Sequence, residues 1–205
     1  MSMFPLCAAA GGSHFDIASE KSSLCFAPFN FLDTANDRQW ALDWVDKILA
    51  LNNVVTGPAE RNEIAEALER LANAKKDGLS PTLDDFLAQV QSNTIREAMR
   101  QYGVEGVMGD LLAASEDGLN LSRFTVFEVE KLMELGDKWS LPVLDYLFRR
   151  IQKALRGQPA WLFLDEAWLM LQHPVFASKI REWLKVLRKA NCAVVMATQN
   201  LDDFA

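Results

Sequence analysis

From Leu119 onward the chain alternates between short apolar runs and stretches of helical period. That alternation restricts the possible folds more than any other feature of the sequence. Phe124-Thr125-Val126-Phe127-Glu128-Val129 is rich in β-branched and aromatic residues and reads as a strand. Pro142 opens a predicted helix that carries Leu144, Leu147, Phe148, Ile151 and Leu155 on one side. Trp161-Leu162-Phe163-Leu164 is wholly apolar, as expected of a strand buried on both faces. Val175 to about Asn191 reads as an amphipathic helix, and Cys192 to Ala197 as a second buried strand. Strands separated by helices at this spacing need crossover connections on a parallel sheet, which makes the chain α/β.

The preceding residues follow a different pattern. The first thirty read as short extended pieces between turns, with Phe15-Asp16-Ile17 alternating and Gly11-Gly12 as punctuation. Asp37 is expected to cap a helix whose Trp40, Trp44, Ile48 and Leu51 share a face. A second helix begins near Pro58, carries Ile64, Leu68 and Leu71 as its stripe, and ends at Lys75-Lys76 before Gly78. Ser80-Pro81 opens a third, with Asp84 and Asp85 in its first turn. Further helices are expected over 93–102 and 104–114. Gly103, Gly106 and Gly109 recur every three residues, which signals helix ends or close packing rather than a phosphate-binding loop.

Composition excludes several classes. Half of the 205 residues are hydrophobic and a quarter charged, a globular balance long enough for one substantial core. No apolar run approaches the roughly 20 residues that span a bilayer. Met1 to Ala10 lacks the basic start of a secretory signal, so a cytoplasmic protein is expected. Cys7, Cys25 and Cys192 are too scattered for a disulfide framework or a zinc site, and His14 and His173 for a metal cluster. A formal charge of −7 gives no strong nucleic-acid signal.

The chemistry concentrates at two strand ends. Trp161 to Leu164 runs into Asp165-Glu166, the Walker B pattern of four apolar residues and two acids. Ligands of open parallel sheets gather beyond the carboxyl ends of the strands, where these acids fall. Asp165 is the candidate Mg²⁺ carboxylate, acting through the ion's water shell, and Glu166 the residue that orients the attacking water. An acidic start to a helix would give the same pair. The strand that opens at Cys192 ends in Ala197-Thr198-Gln199-Asn200. Gln199, supported by Thr198, is placed to meet the γ-phosphate or the lytic water, although both could simply cap a helix. Between the strands, Arg181, Lys185, Arg188 and Lys189 share one helical face. Arg188 or Lys189 is a candidate inter-subunit or phosphate contact, set against a plain solvated face. No Gly-x-x-x-x-Gly-Lys-Ser/Thr loop occurs in the 205 residues.

Taken with Ala167-Trp168 after the acids and Arg188-Lys189-Ala190-Asn191 before the second strand, these motifs resemble the conjugal-transfer and type IV secretion ATPases of the TrbE/CagE family. Leu121 to Glu128 resembles the family's strand before Walker B, and Gly12 through Asn30 the region after its phosphate-loop helix. The resemblance covers nearly the whole chain. It implies a partial RecA-like, P-loop NTPase-type parallel sheet over 1–55 and 119–205, with an inserted helical subdomain over 56–118. It also implies ATP and Mg²⁺ as ligands, with Asp165 the metal-site acid, Glu166 the catalytic carboxylate and Gln199 the sensor. Self-association, often as hexamers, is implied, as are other secretion components as partners and a peripheral place on the cytoplasmic face of the inner membrane. The phosphate loop is expected before Met1 and further motifs after Ala205, so the chain alone is expected to be inactive.

Two other readings compete. Asp-Glu-Ala also occurs in helicases, but those follow with Ser-Ala-Thr, whereas this chain has Met196-Ala197-Thr198-Gln199. The alternative of another class is a non-catalytic interaction module, or a truncated relic, whose working surface is the acidic helical block.

Overall fold

The computed structural model describes residues 3–19, 22, 24–165 and 174–197, with backbone alone for 174–179. It is an α/β structure with two pairs of parallel strands. In chain order the elements are α1 (Phe4–Ala9), β1 (Ser13–Asp16), a 3-10 turn (Pro28–Asn30), α2 (Ala35–Leu51), α3 (Pro58–Lys76), α4 (Leu83–Gln89), α5 (Asn93–Arg100) and α6 (Gly109–Leu112). They continue with β2 (Thr125–Glu128), α7 (Glu130–Glu134), α8 (Asp137–Ala154), β3 (Ala160–Leu164), α9 (Pro174–Lys189) and β4 (Cys192–Met196). The chain divides into two compact units, Met1–Tyr146 and Leu147–Ala205.

In the first unit, β1 and β2 pair in parallel with Phe15 opposite Phe127, and those two rings stack at 5.6 Å. The core is mostly helical. Trp44, Val45, Ile48 and Leu49 of α2, Ile64 and Leu68 of α3, Phe86 of α4 and Ile95 of α5 are fully or almost fully buried. The stripe expected on α3 is therefore its packing face. Phe29 stands edge-on to Trp44 at 5.9 Å and lies 5.3 Å from Phe86.

Local chemistry fixes where these helices start. The Thr34 hydroxyl accepts from the Asp37 N–H at 3.2 Å while the Asp37 carboxylate accepts from the Thr34 N–H at 3.3 Å, a reciprocal capping box. Thr82 and Asp85 repeat it at α4, and Glu60 reaches back to the Gly57 N–H at 2.9 Å at α3. Two expectations are corrected here. Asp37 is the third helical residue and not the cap, and α4 opens after Thr82 rather than at Ser80-Pro81.

Three other elements differ from expectation. The residues 4–9, expected to be extended, form α1, a single turn and a half without a side-chain cap. Only Gly109–Leu112 of the stretch 104–114 is helical, because a Cβ at Gly106 would lie 2.2 Å from the Gln101 carbonyl oxygen. That packing leaves the 101–108 segment as turns. Finally, Pro142 lies inside α8, which starts five residues earlier. Pro142 has no N–H for the Lys138 carbonyl. The Tyr102 hydroxyl supplies the missing donor at 2.9 Å, and the Trp44 indole N–H donates to the Pro142 carbonyl at 2.9 Å. Tertiary partners thus satisfy the break, and the helix runs through it.

Candidate functional site

The second unit holds the candidate site. β3 and β4 pair in parallel from Ala160–Cys192 to Leu164–Met196, joined through α9. One face of this small sheet is packed. Leu162, Leu164, Val194 and Met196 lie against Phe148 of α8 and Trp183 of α9, whose rings stack at 3.5 Å. The other face carries Trp161 and Phe163, exposed at 68% and 67%, with Val195 and Ala193 beside them in register. The expectation that the 161–164 strand is buried on both faces is corrected: among the described residues it is covered on one.

Asp165 follows β3 directly and is exposed at the carboxyl end of the strand pair. The ladder extends one step beyond β4, where the Ala197 N–H donates to the Leu164 carbonyl at 2.9 Å. The backbone therefore enters residue 198 at the same end of the sheet as Asp165. Glu166, Thr198 and Gln199 lie outside the described residues. Arg188 is described, and the structure puts it elsewhere. It sits exposed in the last turn of α9, which leads into the amino ends of the strands, where the Ala160 N–H donates to the Asn191 carbonyl at 3.1 Å. A five-residue strand of about 16 Å separates that end from Asp165. Asp165 and Arg188 are not brought together.

At the amino end, Cys192 is buried and its thiol is held above the usual range by burial, opposed by a hydrogen bond with the Leu162 backbone. Its position at the start of β4 is structural, in keeping with a scattered thiol. No grouping of three or more His, Cys, Asp or Glu side chains able to hold a metal occurs among the described residues. An exposed carboxylate at a strand end still fits Mg²⁺, which keeps much of its water and is held by one or two carboxylates together with phosphate oxygens. Among the described residues no helix is long and apolar enough to cross a membrane.

No family model matches the chain. It is 48% identical over 205 residues to a probable conjugal transfer protein TrbE of Sinorhizobium fredii, covering 98% of this chain and 30% of that protein. It is 47% identical over 208 residues to the conjugal transfer protein TrbE of Rhizobium radiobacter, covering 98% and 25%. The chain thus spans less than a third of the length of these curated relatives. Among solved structures it is similar to VirB4 of Thermoanaerobacter pseudethanolicus, with a TM-score of 0.71 at 19% identity over 98% of this chain and 60% of that one. Parallel strand pairs and that likeness are compatible with a partial RecA-like fold. Across nearly its whole length the chain corresponds to one segment of a longer protein type, and it belongs to the TrbE/CagE family of conjugal transfer and type IV secretion proteins.

Proposed function

We propose that this chain is the segment of an ATP-hydrolysing type IV secretion motor that carries the Mg²⁺-site acid and the sensor strand. The observation that carries the reading is Asp165, exposed at the carboxyl end of β3 where β4 also ends, in a parallel strand–helix–strand unit. That is the end of a parallel sheet at which phosphate ligands collect. Asp165 would hold Mg²⁺ through its water shell, and the ion, when bound, would neutralise charge on the phosphate oxygens. Glu166 would orient the attacking water, with Gln199 and Thr198 contacting the γ-phosphate or that water. In this reading residues 56–118 form a helical insertion, and copies associate in the parent protein at the inner membrane with other secretion components.

Two experiments test the proposal. In a full-length relative carrying a phosphate loop, Glu166→Gln lowers ATP turnover at least about a hundredfold while nucleotide binding persists. Retained turnover sinks the role of Glu166. For the 205-residue chain alone, calorimetry with ATP and Mg²⁺ gives no binding. Tight Mg²⁺-dependent binding would mean a nucleotide site built without a phosphate loop.

A further inference from the structure

Charge is divided unevenly along this chain. Residues 1–146 hold twelve Lys and Arg against twenty-three Asp and Glu, a net −11, whereas 147–205 hold nine against five, a net +4. The pairing of cations differs in the same way. In the first unit Arg38 meets Glu69 at 2.7 Å, Lys47 meets Asp145 at 2.6 Å, and Lys75 meets Asp33 at 2.7 Å. Arg61, Arg70, Arg100 and Lys131 also have carboxylate partners.

On α9 the pattern reverses. Ile180 and Leu187 are buried and Trp183 stacks on Phe148, so the apolar side fixes the rotation of the helix. Arg181, Lys185, Arg188 and Lys189 are left exposed, and none of them has an ion-pair partner among the described residues. Glu182 is the one acid on that helix. From Arg181 to Lys189 these cations extend over about 12 Å of helix. A patch of one sign, held rigidly on a packed helix, attracts a surface of the opposite sign and orients its approach.

We infer that the Arg181–Lys185–Arg188–Lys189 face of α9 docks on the acidic Met1–Tyr146 unit of a second copy of this chain. The inference rests on the self-association proposed above and adds the surface that carries it. The partner follows from charge complementarity: the same polypeptide supplies an excess of eleven negative charges in its other unit. Such a contact joins two different surfaces, so it is head-to-tail and can extend from copy to copy.

The test is analytical ultracentrifugation of the 205-residue chain at 50 and 300 mM salt, beside an Arg181→Glu/Arg188→Glu variant checked for folding by circular dichroism. Association is expected at low salt, weakened on the order of tenfold by the added salt and similarly by the double variant. Carbodiimide cross-linking of a mixture of light and ¹⁵N-labelled chains gives the geometry. Mixed-isotope links are expected from Lys185 or Lys189 to carboxylates within 1–146. A chain that stays monomeric at low salt overturns the inference, and so do links found only within single chains. Salt-insensitive association that the variant keeps but a Trp161→Ser/Phe163→Ser chain loses would assign self-association to the bare sheet face instead. Tight binding of a labelled oligonucleotide, abolished by the double variant in a chain that does not self-associate, would make the face a nucleic-acid surface and also overturn the inference. Each of these outcomes leaves the Glu166 experiment standing by itself.

Discussion

Tyr102 is fully buried, and its hydroxyl accepts from the Asn52 amide at 3.2 Å while donating to the Lys138 carbonyl that Pro142 leaves unpaired. Burial pushes its ionisation up to about 12, against the smaller lowering effect of Asn52. An unfolded tyrosine loses its proton near pH 10. Between those values the unfolded chain releases a proton that the folded chain keeps, so stability falls as pH rises through that window. Tyr102→Phe should flatten this alkaline fall and cost about 1–2 kcal/mol at pH 8, where the Lys138 carbonyl loses its donor. Urea denaturation at pH 8 and pH 11 measures both, and an unchanged alkaline slope would remove Tyr102 from the account. The sequence could not have shown this pairing, since residues 102 and 138 meet only through tertiary packing. It reported Pro142 as a helix start, which is the ordinary meaning of a proline followed by an apolar stripe. At the candidate site, the exposed position of Asp165 after an apolar strand was legible because an apolar run fixes the strand and the first acid fixes its end.

Among elements, legibility followed length and capping chemistry. The α3 stripe of Ile64, Leu68 and Leu71 is buried as its spacing requires, over nineteen residues and with cations at the end. The six-residue α1 has no cap side chain and leaves Phe4 and Leu6 exposed, so no periodic stripe announces it. The capping boxes at Thr34 and Thr82 were readable in principle, as threonine followed three residues later by aspartate. The acids drew the assignment because they open the run of helix formers. Thr34→Ala should destabilise the first unit by about 1 kcal/mol, through loss of the acceptor for the Asp37 N–H. Thr34→Ser should keep most of it. Equal urea midpoints for the alanine and native chains would show that the cap contributes nothing measurable. Arg188 illustrates a different limit: its place on a basic helical face was legible, but which end of the sheet that helix reaches needed the strand register.

For the molecule as a whole, the sheet face bearing Trp161 and Phe163 is the main departure from the sequence reading. Hydrophobic character announces burial but does not say which layer provides it. Replacing both with Ser should change the unfolding free energy by no more than about 0.5 kcal/mol, since their rings are mostly in water already. It should also reduce binding of a hydrophobic dye. A large loss of stability instead would mean that the rings pack more than their exposure indicates. The boundary between the two units has its own consequence, because it falls inside α8 rather than in a loop. A protease meets helical backbone there, and helix must fray before a bond can be cut. A gene cut at the same point would strand four carbonyls on the upstream piece. Its final residue would be Tyr146, whose ring packs edge-on to Phe26 at 5.2 Å and whose hydroxyl donates to Asp117. Dividing this protein into separately expressed halves therefore calls for a cut past Ala154, at the end of the helix, where the first half keeps its own core intact.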